Sequence, residues 1–218
     1  MNTITRRKGK LYSLGEEIFS SVTHGIGALL GIAALVLLVV FAAKAHNVYG
    51  VVSGALYGST LIILFLMSTL YHAIAAKGAK KVFRIMDHCS IYLLIAGTYT
   101  PVALCSLRNN GGWVLFGIVW GVTILGIVLN AINMEKFKLI SLISYIVLGW
   151  AIVAWWGAVV ANVAPAGIAL LLIGGIVYML GVVFYCLKNV AYMHSIWHLF
   201  VLAGSVLHFF AVLLYVIR

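Results

Sequence analysis

Charge is scarce in this chain: 8% of its 218 residues are Asp, Glu, Lys or Arg, and only four of these are acidic. Soluble domains carry about 25% charged residues, so a water-facing globule is excluded. Proline is nearly absent, with two residues, and no Pro/Gly/Ser-rich linker, repeat or low-complexity tract divides the chain. One domain is the economical reading. The three cysteines, Cys89, Cys105 and Cys186, have neither the number nor the spacing of a disulfide framework or a Cys metal motif, and are expected to be small core residues. The net charge of +10 does not point to nucleic acid, because the basic residues fall in short breaks between apolar runs and not along one amphipathic face.

What the chain has instead is apolar length. It is 65% hydrophobic, with a mean hydropathy of +1.17, and its apolar runs recur near the roughly 20 residues that a helix needs to cross a bilayer. Seven runs are expected: about 20–43, 50–73, 86–107, 112–133, 138–159, 165–187 and 193–217. The first is too long, and too polar at Ser20, Ser21, Thr23 and His24, to read as a cleaved signal peptide. The fold expected is an all-α integral membrane protein with seven transmembrane helices, residues 1–19 forming a cytoplasmic N-terminal segment and 20–218 the transmembrane domain.

Orientation follows from the basic residues. With the N-terminus cytoplasmic, Arg6, Arg7, Lys8, Lys10, Lys77, Lys80, Lys81, Arg84, Lys136, Lys138 and Lys188 lie inside, against Lys44, Arg108 and Arg218 outside. The positive-inside rule then places the C-terminus outside. Pro101, within the third run, predicts a kink in the outer half of that helix. Gly25, Gly27, Gly31, Gly174, Gly175 and Gly181 offer small surfaces for helix packing. Trp150, Trp155 and Trp156 read as interface anchors.

Ionisable groups inside membrane helices are costly, and each is a functional hypothesis. His24, His72, Asp87, His88, His194 and His198 all fall at the cytoplasmic depth of their helices, whereas His208 lies about 15 Å deeper along the last one and reads as a hydrogen-bonded core histidine. In HSIWH the four-residue spacing puts His194 and His198 on nearly one face, where both can address one ion. His72 brings a third imidazole to the same depth. Three histidines leave a fourth tetrahedral position open, the pattern of a catalytic zinc; two histidines bonded separately to carbonyls is the alternative. Asp87 suits the base that hydrolysis requires, or a first-turn carboxylate favoured by the helix dipole. Ser68, one turn before His72, suits an oxyanion contact or a plain intrahelical bond. Glu16 and Glu17 either pair with the basic loop or lie near the site.

GEEIFSSVTHGIG, STLYH followed by MDH, and the final HSIWH together resemble the bacterial hemolysin III branch of the progestin and adipoQ receptor superfamily, across essentially the whole chain. The resemblance implies zinc held on the cytoplasmic side by His72, His194 and His198, with Asp87 contacting a zinc-bound water. Glu17 and His24 match the first family motif, while Ser20 stands where the family has Asn. The function expected is a zinc-dependent hydrolase of an amide or ester in a membrane lipid, with Asp87 and Ser68 as catalytic groups. Its substrate would enter from the inner leaflet of the bacterial cytoplasmic membrane, and its role would be membrane lipid or energetic homeostasis. A membrane-state sensor or receptor with a structural zinc is the second class. A pore-forming cytolysin is the third, and seven uniformly apolar helices give it no polar stripe.

Overall fold

The computed structural model describes residues 12–187 and 189–217, which are helical throughout apart from short connections. Arg6, Arg7, Lys8, Lys10, Lys188 and Arg218 of the charge count lie outside the described residues, as does most of the 1–19 segment. The α-helices are α1 Leu14–Lys44, α2 Val48–Ala73, α3 Lys77–Pro101, α4 Trp113–Gly149, α5 Trp156–Asn162, α6 Pro165–Cys186 and α7 Met193–Tyr215. Among the described residues six helical stretches are long and apolar enough to cross a membrane, one of them running over 55 residues from Arg108 to Asn162.

That long stretch is folded back on itself. Asn133 leaves helical geometry at φ −158°, ψ 88°, and its Oδ1 accepts the Lys136 N–H at 3.0 Å, capping a second arm. Across the bend Ser141 Oγ donates to Asn130 Oδ1 at 2.7 Å, and Asn130 Nδ2 donates to Tyr145 Oη at 3.3 Å. Residues eleven apart on a straight helix would be about 16 Å apart. The two arms coincide with the expected runs 112–133 and 138–159.

The second arm does not stay α-helical. It loosens after Gly149 into a 3₁₀ turn, Ala151–Trp155, before α5. The break is bridged from α3, where the Tyr99 hydroxyl donates to the Gly149 carbonyl and accepts the Ile152 N–H, each at 3.0 Å. Such repair is what a bilayer demands of an interrupted helix. At Pro101, where a kink is expected, the helix changes type: α3 ends at Pro101 and passes into wide π turns, Val102–Ser106 and Arg108–Gly112. Proline has no N–H to continue the α ladder, and the wider turns restore pairing, as in Leu107 N–H to Val102 O at 2.9 Å.

Large apolar side chains face outward as well as inward. On α1 the buried stripe is Ser20, His24, Gly27, Gly31, Ala34, Leu38 and Ala42, at three- and four-residue spacing, while Leu29, Leu30, Ile32 and Val36 face outward. Lipid gives no hydrophobic drive between helices, so close approach of small residues holds them together. At Gly27 the Phe65 ring of α2 occupies the space a side chain would need, and at Gly181 the Trp197 ring of α7 does the same. Gly175 has no such neighbour. Cys186 is exposed at the end of α6, unlike the partly buried Cys89 and Cys105.

Charge separates to the ends. Arg84 of α3 pairs with Glu135 at the α4 bend, 2.8 Å away, and Lys80 pairs with Glu17 of α1 at 2.9 Å. At the opposite end Arg108 lies over the Tyr49 ring, 4.3 Å from its centroid, and Asn47 Nδ2 donates to the Ile217 carbonyl at 3.3 Å.

Candidate metal centre

The cluster is assembled by the first helix pair and the last helix. Ser13 caps α1 in a reciprocal box with Glu16. The other Glu16 oxygen accepts the Tyr192 N–H at 2.8 Å, where Tyr192 turns the chain into α7 with a positive φ of 64°. Ser20 Oγ lies 3.0 Å from Ser195 Oγ. These contacts lock the start of α7 against α1 and so set the direction of His194 and His198. His72 arrives from the last turn of α2.

Three imidazoles converge there. One ligand atom each from His72, His194 and His198 lie within 4.8 Å of one another, with His194 Nε2 3.3 Å from His72 Nε2 and 3.1 Å from His198 Nε2. Protonation logic makes the arrangement informative. His72 Nδ1 is 2.7 Å from Glu17 Oε2, and since an ionised carboxylate only accepts, Nδ1 carries the hydrogen and Nε2 presents a lone pair. A neutral His194 has at most one Nε2 proton to offer two neighbouring nitrogens. A cation removes the conflict, because each nitrogen then gives its lone pair to the ion. The two short separations are close to the roughly 3.3 Å edge of a tetrahedron of nitrogens 2.0–2.1 Å from zinc. The donor set therefore fits a metal ion.

The surroundings match what metal-binding histidines need. The contact from Glu17 to His72 is the carboxylate–imidazole pair that fixes ring orientation and tautomer, and Lys80 holds the other Glu17 oxygen. The His198 ring has the Ser20 carbonyl beside it. His24 packs against His198 with centroids 3.8 Å apart, and its Nε2 donates to the His198 carbonyl at 3.3 Å. It shares the depth of the cluster without joining the ligand set. Tyr12 stacks on His194 at 4.5 Å and 19°. Burial pushes its hydroxyl well above the ordinary phenol range, so the ring covers the cluster as a neutral group.

Asp87 stands on α3 beside this group. Because α3 begins at Lys77 and not near residue 86, Asp87 lies ten residues inside the helix and is neither a cap nor a first-turn carboxylate. It is within electrostatic reach of His72 and faces Ser68, while His88 Nδ1 lies 3.8 Å from its Oδ2. Ser68 Oγ is buried and makes no hydrogen bond of ordinary length, so of its two alternatives the bond back to its own helix is absent. His88 Nδ1 donates to the Arg84 carbonyl at 2.9 Å. His208 is apart, donating from Nε2 to the Leu171 carbonyl at 3.0 Å.

The sequence reading missed Tyr12, Lys80 and the Ser20–Ser195 contact. Tyr12 precedes α1 in no recognisable motif, and no spacing rule joins residues on different helices. Glu17 carried a signal: with Ser20, His24 and Gly27 it follows the three- and four-residue spacing of the buried α1 stripe.

An apolar cavity begins one helical turn below. Leu64, Ile91, Trp197 and Val201 line it, each one turn from Ser68, Asp87, His194 or His198. It runs on through the bundle past Tyr99, Trp150 and His208, where a second cavity adjoins it.

Residues 12–209 match the protein family described as Haemolysin-III related. The chain is 42% identical over 208 residues to the "Hemolysin-3 homolog" of Bacillus subtilis, covering 95% of this chain and 98% of that protein. It is 44% identical over 202 residues to the "Hemolysin-3" of Bacillus cereus, covering 93% and 92%. A human relative, "Monocyte to macrophage differentiation factor", is 30% identical over 175 residues, 75% of this chain and 70% of that protein. No solved structure matches the chain.

Proposed function

The chain belongs to the haemolysin-III-related family, and from that premise we propose that it is a zinc-dependent membrane hydrolase that cleaves an amide or ester in a lipid and so acts on membrane lipid state or energetics. The observation that carries the reading is the convergence of His72, His194 and His198 beside Asp87 and Ser68, one turn above an apolar cavity. Neutral imidazoles at these separations suit zinc.

Zinc bound there would polarise a carbonyl and make water a nucleophile near neutral pH. The chain supplies the rest. Glu17 and Lys80 hold the His72 ring in one tautomer. Asp87 takes a proton from the attacking water and returns it to the leaving nitrogen or oxygen as the C–N or C–O bond breaks. The Ser68 hydroxyl, which faces Asp87, donates to the carbonyl oxygen as charge builds on it. The cavity wall binds the acyl chain and excludes water.

The reading includes seven membrane passes, with the N-terminus cytoplasmic and the C-terminus outside, in the cytoplasmic membrane of a bacterium. The fold-back at Asn133 supports seven passes. Grouping of Lys80, Arg84 and Lys136 with the cluster, against Arg108 at the other end, supports the orientation. A thiol probe applied to intact cells should label a cysteine placed at Asn162 and miss one at Gly78; the reverse pattern would overturn the orientation.

The hydrolase reading is tested by presenting a panel of membrane amides and esters to purified protein in nanodiscs, with zinc removed and then restored. Product that appears only with zinc is expected. Fully loaded protein that cleaves no lipid would favour a sensor or receptor with a structural ion, a reading supported by the way the cluster ties α2 to α7 under the Tyr12 ring. The relatives' names also raise cytolysis, for which dye leakage from liposomes is the measurement.

A further inference from the structure

A second polar layer lies in the middle of the bundle, away from the metal centre. Tyr57 of α2, Thr98 of α3, Tyr178 of α6, and Ser205 and His208 of α7 contribute to it. Counted along their helices from Ser68, Asp87 and His198, these groups sit roughly 10–16 Å beyond the cluster. They are joined to one another: Tyr178 Oη and Ser205 Oγ are 2.8 Å apart, Tyr178 packs edge-on to His208 with centroids at 5.3 Å, and Tyr57 neighbours both Thr98 and Tyr178. Thr98, Tyr178 and His208 also line the apolar cavity.

Two of the groups have unused hydrogen-bonding capacity. The Tyr57 hydroxyl and His208 Nδ1 are buried without a hydrogen bond of ordinary length, Tyr57 having only a long contact to Thr98. Because His208 Nε2 donates to the Leu171 carbonyl, Nδ1 is an acceptor, whereas the Tyr57 O–H is a donor. Thr98 spends its proton on the Leu94 carbonyl at 2.8 Å and keeps its lone pairs. A weakly paired donor and an unpaired acceptor at mid-bundle depth are expensive, and a purely apolar acyl chain would improve neither. A hydroxyl group, which donates and accepts, is complementary to the set.

We propose that this layer is a second subsite of the cavity, which selects acyl chains carrying a hydroxyl near mid-chain over plain hydrocarbon chains. The inference rests on the reading of the cavity as an acyl-chain site. The polar layer is set back from the cluster by a distance that a mid-chain oxygen reaches when the lipid head lies at the histidines. Hydroxylated lipids are then the substrate class, and the far wall is a specificity determinant separate from the chemistry.

The test uses the whole protein in detergent and two free acids that differ only in a mid-chain hydroxyl, ricinoleate and oleate. Both compete against fluorescent parinarate, excited by energy transfer from Trp150 and Trp197 in the cavity wall. Ricinoleate should displace the probe at a roughly three- to tenfold lower concentration than oleate, the ratio expected for one or two net hydrogen bonds. The preference should vanish in Tyr57→Phe and in Thr98→Val, each of which removes a polar group at nearly constant shape; either variant suffices if the other fails to fold. Equal competition by the two acids on wild-type protein overturns the subsite, as does a preference that survives the replacements. Failure of parinarate and both acids to bind overturns the acyl-chain cavity itself, and the subsite with it.

Discussion

His198 and His208 lie ten residues apart on α7 and meet opposite surroundings. His198 is ringed by His24, His72 and His194, its Nε2 one corner of a converging set. His208 has one carbonyl and a tyrosine edge. The helix and the side chain are the same; what differs is what the neighbouring helices bring. At His198 the neighbours are α2 and α1, the latter locked to α7 by Glu16, Ser20 and Ser195. At His208 the neighbour is α6, whose Gly174 leaves room for the ring. Among the described residues the set that could hold a metal lies at helix ends gathered by capping contacts, and none is found in the middle of the bundle.

The largest test of that contrast is metal content. Purified protein is expected to carry about one zinc ion per chain, falling to background in the His194→Ala, His198→Ala double variant, with His208→Ala and His46→Ala unchanged. Elemental analysis on folded samples decides it, and full occupancy of the double variant would abolish the distinction between the two regions.

Next in size is Asp87→Asn, which keeps shape but removes basicity. Turnover of any cleaved lipid should drop about 100-fold or more, with zinc affinity reduced by no more than roughly 10–100-fold. A zinc-loaded variant with wild-type turnover would leave Asp87 a bystander.

A smaller effect is expected at Glu17. Removing the carboxylate that holds His72 in Glu17→Ala should weaken zinc binding roughly 10–100-fold, read by competition with a chelator of known affinity. Lys80→Ala, acting one step further out, should cost less than Glu17→Ala. If it costs more, the lysine holds the site by another route.

The smallest effect belongs to the ion pair between Arg84 and Glu135. Both side chains are substantially exposed, at 30% and 59%, so Arg84→Ala should lower unfolding stability by about 1 kcal/mol or less, with zinc content unchanged. A larger loss would show that the α4 bend, and not the cluster, anchors the basic end.

Much of this organisation was legible in particular residues. HSIWH carried its meaning in its spacing, because a helix returns to the same face after four residues whatever surrounds it. The three- and four-residue rhythm of Ser20, His24, Gly27 and Gly31 marked the buried face of α1 in the same way. The expected start of the third helix near residue 86 was wrong because hydropathy detects the apolar layer and not the helix: the charged turns from Lys77 are helical and place Asp87 mid-helix. Pro101 announced a disturbance but not its form, since a missing N–H can be met by a kink or by wider π turns, and neighbouring helices decide which.

Residue types and their periodicity were enough to determine a membrane-embedded helical chain with histidines at matching depth, because helix rise, bilayer thickness and the cost of buried charge are local or one-dimensional constraints. Which nitrogens meet, which carboxylate holds which ring, and that Tyr12 covers the cluster while the Tyr57 hydroxyl and His208 Nδ1 lack a hydrogen bond of ordinary length in the bundle were decided only by tertiary structure. Those relations depend on the rotation and lateral contact of helices far apart in sequence, which no single helix specifies for itself.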